Sequence, residues 1–329
     1  MDRRAFLALL ASGLVARSPA AHAQSPGRVY RVGMLMPTAH SEASERRTTV
    51  TFVPTFLTEL GYTQGRNLVF EPRWAEGNLD RLPAMARELI QLRMDVVVAV
   101  GSAAVRACRG ASSALPIVFF GNFDPVALGL VKSLAKPGAN VTGVLIAPAG
   151  TLAGKKLELL KEAASRATRI AFLTHEDPGL GLQEKETQSA AAALGITLLL
   201  TRVRGADYEG AFASIAAARP GALFVAATTF FMRDRKRIIE LAARHRLPAM
   251  YEWPEQVEDG GLMSYGSDLS GTTRRVAVYV DRILRGDQPA DLPIEQPTEF
   301  QLVINLRTAR ALGLAVPPSL VARADRVIE

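Results

Sequence analysis

The sequence predicts an α/β protein of two Rossmann-like lobes, each built on a parallel, doubly wound sheet. Two observations lead to this fold class. Short apolar runs alternate with helical patterns along most of the chain, which is typical of a parallel sheet with helices on both faces. The alternation breaks around residues 137–143, and a second series of similar size then begins. A chain of 329 residues is long enough to bury two such cores.

The first series contains four predicted strands, at residues 29–36, 67–71, 96–100 and 116–120. The third strand is a continuous apolar run, Val-Val-Val-Ala-Val, which requires cover on both faces of its sheet. Leu82, Met85 and Leu89 recur at the helical period, so a helix is expected before this strand. Further helices are expected up to Leu60, from Gly101 and from Asp124.

The second series contains five predicted strands, at residues 170–173, 196–200, 222–226, 248–251 and 262–265. A helix near residues 272–284, an isolated strand at 300–304 and a short helix follow. Because these elements remain after the second series is complete, the chain is expected to cross back between the lobes. We therefore expect one lobe from residues 24–142 with 268–292, and the other from residues 143–267 with 293–329.

The first residues have the three parts of a secretory signal peptide: Arg3 and Arg4, an apolar run at 5–16, and Ala21-His22-Ala23 as a cleavage pattern. The apolar run is shorter than the roughly 18–20 residues that span a membrane. The two arginines fit either the twin-arginine export motif or an ordinary charged start. The prediction is removal of residues 1–23 and export to the periplasm.

Composition excludes other classes. The formal charge of +7 is mild for this length, and no basic cluster is interleaved with aromatic residues, so nucleic-acid binding is not expected. The densest basic stretch, residues 233–237, is predicted to be a solvated helix face. Cys108 is the single cysteine; it lies in an apolar helical stretch and is expected to be buried and inert, and no disulfide can form within the chain.

Ligands of open α/β sheets bind beyond the carboxyl ends of the strands, beside helix N-termini. Gly101-Ser102-Ala103 could offer backbone N–H groups to an anion, although from this segment alone a plain helix cap is the favoured interpretation of Ser102. Asp124 could hold an amine or cap a helix. The candidate ligand-binding residues are Met36, Gly101, Ser102, Ala103, Asn122, Asp124, Thr174, Thr228, Tyr251, Ser264, Tyr265 and Asp268.

Signals of catalysis are missing from the sequence. It has no Gly-x-Gly-x-x-Gly after the first strand, no Walker lysine loop and no Gly-x-Ser-x-Gly elbow. Its histidines lack partners at metal-ligand spacing. His175 is expected in a surface loop or against a ligand, and Glu176 with Asp177 is expected to be solvated, an acid/base pair being the alternative. No catalytic residue, metal or cofactor is therefore predicted.

Motifs spread over nearly all of the chain resemble the ABC transporter substrate-binding family that includes tryptophan- and tyrosine-binding members. They include Pro116-Ile117-Val118-Phe119, Asp124-Pro125-Val126, Pro137-Gly138-Ala139-Asn140-Val141-Thr142-Gly143-Val144, Pro72-Arg73-Trp74-Ala75-Glu76-Gly77, Ser264-Tyr265-Gly266-Ser267-Asp268 and Ile283-Leu284-Arg285-Gly286. Two loops, at residues 174–178 and 227–231, depart from the family pattern. The resemblance therefore does not fix the identity of the ligand.

The resemblance implies a type 1 periplasmic binding protein, with three crossing segments that form a hinge near residues 142–144, 266–269 and 292–296. It implies a monomer that closes on a small ligand and delivers it to an ABC permease. The expected ligand is an amino acid, aromatic ones included, or a related small carboxylate. The alternatives are a sensory protein that presents its ligand to a membrane receptor and, less favoured, a secreted hydrolase on the same fold.

Overall fold

The computed structural model describes residues 27–40, 49–147 and 152–329. The predicted signal peptide, residues 1–23, lies outside this range. Among the described residues, none of the helices has both the length and the hydrophobicity of a membrane span. The chain forms two α/β lobes with a cleft between them.

The first lobe contains a five-stranded sheet in the order β2-β1-β3-β4-β5, with every neighbouring pair parallel. Its central strand β3 is buried along its whole length, as the apolar run predicts. The strands are β1 (Tyr30–Met36), β2 (Leu68–Trp74), β3 (Val96–Val100), β4 (Ile117–Gly121) and β5 (Val141–Leu145).

Helices cover both faces of this sheet. They are α1 (Thr49–Glu59), α2 (Leu82–Gln91), α3 (Gly101–Ala111) and, from far along the chain, α10 (Leu269–Leu284). α10 packs against α1 and the sheet, and Tyr62 Oη donates to Asp281 Oδ1 at 2.8 Å. Cys108 is buried within α3, and burial raises the pKa of its thiol to about 12.

The second lobe contains a seven-stranded sheet in the order β12-β11-β10-β9-β8-β6-β7. β11 runs antiparallel to β10, and the other paired strands are parallel. The strands are β6 (Arg169–His175), β7 (Thr197–Val203), β8 (Ala222–Val225), β9 (Ala249–Tyr251), β10 (Met263–Gly266), β11 (Gln301–Asn305) and β12 (Arg326–Ile328).

The first helix of the second lobe precedes β6, and the others lie between its strands along the chain. They are α4 (Leu152–Ala163), α5 (Gly181–Ala193), α6 (Tyr208–Ala218), α7 (Thr229–Arg233), α8 (Arg235–Arg244), α9 (Pro254–Glu258), α11 (Leu306–Ala311) and α12 (Pro318–Val321). α4 and α5 pack together on one face of the sheet. A short 3₁₀ turn, Pro178–Leu180, precedes α5.

Two sequence-based expectations about elements are wrong, and one strand was not predicted. The break predicted at residues 137–143 contains the start of β5, which continues the first sheet through Leu145 and so extends beyond the lobe boundary predicted after residue 142. β12 was not predicted. The helix expected from Asp124 is a series of turns, in which Asp124 Oδ1 accepts from the backbone N–H groups of Val126 and Ala127.

The three crossing segments lie side by side between the lobes. Leu145 N–H donates to the carbonyl of Glu295 at 2.9 Å, and Glu295 N–H donates to the carbonyl of Gly143 at 3.1 Å. Ser267 Oγ donates to the carbonyl of Ile146 at 2.8 Å. The connections therefore share backbone hydrogen bonds at the base of the cleft.

Candidate functional site

The cleft lies between the lobes at the carboxyl ends of the strands and encloses about 1020 Å³, including its opening to solvent. The first lobe contributes the ends of β1 and β2, the start of α3, and the turn after β4. The second lobe contributes the loops after β6, β8 and β9. Its lining includes Met36, Trp74, Ser102, Phe120, Asn122, Phe123, Asp177, Gly179, Thr228, Phe230, Arg233 and Trp253.

The N-terminus of α3 faces this cleft. Gly101 begins the helix with φ of +80°, a conformation that glycine adopts without strain. The first N–H groups of a helix have no partner within the helix, so those of Gly101, Ser102 and Ala103 are suited to bind an anion. The positive end of the helix dipole acts in the same direction.

Ser102 is not the helix cap that the sequence suggested. The capping position is Val100, with no side-chain cap, and Ser102 lies one residue inside the helix start. Its side chain is buried, and Oγ has no hydrogen-bond partner among the described residues. A buried hydroxyl without a partner is costly, so Ser102 Oγ is available to a ligand.

Aromatic side chains form much of the wall. Trp74, Phe120 and Phe123 come from the first lobe, and Phe230 and Trp253 come from the second. Trp253 is 2% exposed, and within the described part of the chain its Nε1 has no hydrogen-bond partner. The wall therefore suits an apolar or aromatic ligand body, and Trp253 can donate one hydrogen bond to it.

His175 supports this wall from behind. Its ring stacks on that of Phe230, with centroids 4.1 Å apart and an interplanar angle of 3°. Nε2 lies 3.1 Å from the carbonyl oxygen of Gly205. Burial lowers the pKa of His175 below its usual 6.5. The expectation of a surface loop is therefore wrong for His175, which is 4% exposed.

Charged groups of both signs line the second-lobe side of the cleft. The guanidinium of Arg233 pairs with Asp234, with Nε 2.6 Å from Oδ1, and its side chain is 14% exposed. Arg233 thus belongs to a half-buried ion pair at the cleft, whereas the sequence predicted a solvated face for this stretch. Asp177 is half-buried and accepts from Gly179 N–H at 2.8 Å.

The lobes touch across the cleft at the start of α3. A Cβ atom on Gly179 would overlap Ser102 Oγ, so the turn at 178–180 lies directly against the start of α3. The conformation is therefore closed. Gly181, two residues further on, has open space around the position of a Cβ.

Six of the predicted ligand-binding residues come together at the cleft: Met36, Gly101, Ser102, Ala103, Asn122 and Thr228. Thr228 is also the N-cap of α7, where its hydroxyl accepts from Phe231 N–H at 3.0 Å. These six lie at or within three residues of the ends of strands β1, β3, β4 and β8.

The other six lie elsewhere. Asp124 caps its turn, and Asp268 caps α10 by accepting from Ser270 and Gly271 N–H. Tyr251 points to the opposite side of β9, where it lines a hollow with α8. Tyr265 packs on Phe300, and Thr174 and Ser264 are fully buried within the second lobe.

Sequence reasoning did not select Trp74, Asp177, Arg233 or Trp253. Trp74 ends β2, and Trp253 follows β9 by two residues, so their position after strands was a usable signal. Asp177 likewise follows β6 by two residues. Arg233 gave no comparable signal, because its position at the cleft depends on how the two lobes meet.

Comparisons with known proteins agree with this architecture. The family model described as "ABC transporter substrate binding protein" matches residues 40–328. A tyrosine-binding protein of Clostridioides difficile is 22% identical over 260 residues, which is 78% of this chain and 74% of that protein.

Two solved structures are similar over 91% of this chain and 100% of theirs. A conserved domain protein from Vibrio cholerae is 27% identical with a TM-score of 0.83. An ABC domain from Streptococcus pneumoniae, in complex with L-Trp, is 24% identical with a TM-score of 0.81.

Proposed function

Since this chain belongs to the ABC transporter substrate-binding protein family, we propose that it captures an aromatic amino acid, or a related small aromatic carboxylate, for an ABC importer. Its fold is that of the type 1 periplasmic binding proteins. The observation that carries the proposal is the closed cleft, in which aromatic walls from both lobes surround a helix N-terminus with an unpartnered buried serine.

The ligand carboxylate would bind at the start of α3. The free N–H groups and the hydroxyl of Ser102 can donate to it, and the helix dipole favours its charge. Asp177 would pair with an ammonium group, because it is the carboxylate that the second lobe brings to the cleft. It takes the role that the sequence suggested for Asp124 or Asp268, whose oxygens accept from backbone N–H groups.

The body of the ligand would lie among Trp74, Phe120 and Trp253. Offset or edge-to-face contacts with these rings favour an aromatic group over an aliphatic one of equal area. The names of two similar proteins, one tyrosine-binding and one solved with L-Trp, support the same ligand class.

The proposed partner is an ABC permease in the inner membrane, and the proposed compartment is the periplasm. The signal-peptide pattern of residues 1–23 and the family both support this location. A sensory protein would close its lobes on the ligand in the same way, but its membrane partner would be a receptor.

A thermal-shift screen against the standard amino acids and small aromatic carboxylates tests the proposal. A ligand at 100 times its dissociation constant should stabilise the protein by about 2.7 kcal/mol. Aromatic amino acids should give the largest shifts. A screen in which only aliphatic or non-carboxylate compounds stabilise the protein would contradict the proposed ligand class.

A further inference from the structure

A second, smaller cavity adjoins the cleft inside the second lobe. This chamber lies between α4, α5 and the carboxyl ends of β8 and β9, and it encloses about 370 Å³ including its openings. Asn122 and Ala227 line both the chamber and the cleft, so the two spaces are neighbours. Polar and apolar side chains both line the chamber, and Lys156, Gln183, Thr187 and Glu252 are among the polar ones.

A buried ion pair forms part of the chamber wall. Lys156 Nζ donates to Glu252 Oε2, and the two residues are 5% and 1% exposed. Glu252 Oε1 is equally buried but has no hydrogen-bond partner among the described residues. A buried carboxylate oxygen without a donor is unfavourable, so the chamber has a place for a hydrogen-bond donor that the protein itself does not fill.

The surrounding backbone holds Glu252 in place. Gln256 Oε1 accepts from the N–H groups of Glu252 and Trp253, at 3.1 and 3.0 Å. On the other side, Gly266 packs so closely against Glu252 that a Cβ atom would overlap the carbonyl oxygen of Glu252. The unpartnered oxygen is therefore fixed in position, as recognition of a single donor requires.

The charges of the chamber limit which donor can enter. Lys156 already neutralises Glu252, and an ammonium group would place a second cation beside Lys156. A carboxylate would place an anion beside Glu252 and could not donate. Glu186 also lines the chamber, but it is half-buried and has interactions of its own. A neutral hydroxyl can donate to Oε1 without adding charge to a buried region.

We propose that this chamber is a subsite for a hydroxyl group at the far end of the ligand, with Glu252 Oε1 as its acceptor. The inference rests on the proposed function and narrows it. Because the adjoining cleft has aromatic walls, the ligand class becomes a hydroxylated aromatic compound, a phenol, in preference to an unsubstituted ring.

Calorimetry on the full mature protein with three probes tests the subsite. L-Tyrosine carries the phenolic hydroxyl, L-phenylalanine lacks it, and 4-fluoro-L-phenylalanine fills similar space without a donor. We expect tyrosine to bind at least about tenfold more tightly than either analogue, since a site built for a hydroxyl discriminates against ligands that leave its acceptor unpaired. Equal affinities for the three would overturn the subsite while leaving the proposed function intact.

A double variant tests whether Lys156 and Glu252 are responsible for binding the hydroxyl group. Lys156→Met with Glu252→Met removes the ion pair without leaving a buried charge unpaired, and such replacements are often tolerated. In this variant, the affinities for tyrosine and phenylalanine should become about equal, because phenylalanine binding is retained and the tyrosine preference is lost. The same changes at an ion pair that lines neither cavity, Arg202→Met with Glu184→Met, should keep the wild-type preference.

The outcomes separate the two proposals. A tyrosine preference that persists in the Lys156/Glu252 double variant would overturn the role of Glu252. If that variant fails to fold, the wild-type ligand series decides alone. Failure of tyrosine, phenylalanine and tryptophan alike to bind the wild type would overturn the proposed function, and the subsite with it.

Discussion

At the residue scale, the position of Ser102 in its helix distinguishes a role in folding from a role in ligand binding. Its hydroxyl lies at the second position of α3 and does not cap the helix, because the capping position is Val100. A serine that only capped the helix would contribute about 1 kcal/mol to folding whether or not a ligand is present. A ligand contact would instead affect binding and leave the empty protein unchanged.

Ser102→Ala should therefore change the free energy of unfolding of the empty protein by less than about 0.5 kcal/mol. It should weaken ligand binding by about tenfold, equivalent to about 1.4 kcal/mol for one lost hydrogen bond. Chemical denaturation and calorimetry measure the two quantities. A loss of stability with unchanged affinity would assign Ser102 to folding alone.

His175 makes stability depend on pH. Burial lowers its pKa below 6.5, so the unfolded chain binds a proton at a pH where the folded protein does not. The stability that this difference contributes is fully present above pH 6.5 and is lost as the pH falls below it. Protonation would also give the buried Nδ1 a hydrogen with no acceptor among the described residues.

The melting temperature should accordingly fall as the pH drops from about 6.5 towards 5. His175→Gln should flatten this part of the curve, while it lowers stability at pH 8 by about 1–3 kcal/mol because the stacking on Phe230 is lost. Thermal unfolding of both proteins across the range measures the effect. Parallel curves for wild type and variant would contradict the role of His175.

At the scale of elements, the contact between the 178–180 turn and the start of α3 decides how far the lobes can close. Gly179 has no left-handed φ, so alanine fits its backbone. The overlap with an alanine Cβ arises from Ser102 on the opposite lobe, whereas Asp177 Oδ1 of the same lobe would lie 3.2 Å away. The main effect of a side chain at residue 179 is therefore expected on the closed conformation.

Gly179→Ala should reduce ligand affinity by at least tenfold and diminish the ligand-induced contraction seen in small-angle X-ray scattering. Gly181→Ala is the matched control, because a Cβ there meets open space, and it should behave like the wild type. Equal contraction in the two variants would show that the Ser102–Gly179 contact does not limit closure.

At the scale of the whole molecule, three crossing segments connect the lobes, and two of them share backbone hydrogen bonds near Val144 and Glu295. Each lobe has a core of its own, and a further cluster joins Ala227, Met232 and Trp253 of the second lobe to residues of the first. This arrangement is typical of hinge closure, in which a few residues absorb the change while each lobe moves as a unit.

The export prediction also belongs to the whole chain. The mature protein should begin at Gln24 and be recovered from the periplasm, because Ala21-His22-Ala23 provides the small residues of a cleavage site. Mass spectrometry of the purified N-terminus measures this. Replacing Arg3 and Arg4 by lysine should block export if the twin-arginine route is used, and unchanged export would assign the general route.

The two-lobed α/β class, most strands and the family resemblance could be predicted from the amino-acid sequence. Apolar periodicity and strand–helix order are local properties, and β3 shows them without any tertiary information. The same reasoning placed Ser102 and Asn122 at the cleft, because parallel strands bring their carboxyl ends to one edge.

The tertiary structure was needed to establish which residues at the strand ends are in contact and what surrounds them. Tyr251 and Glu252 are neighbours in sequence, yet Tyr251 lines a hollow near α8, and Glu252 lies in the chamber against Lys156. The closed contact of Gly179 with Ser102 joins residues from different lobes. Burial, pairing and pKa follow from contacts between distant segments, and no local pattern in the chain records those contacts.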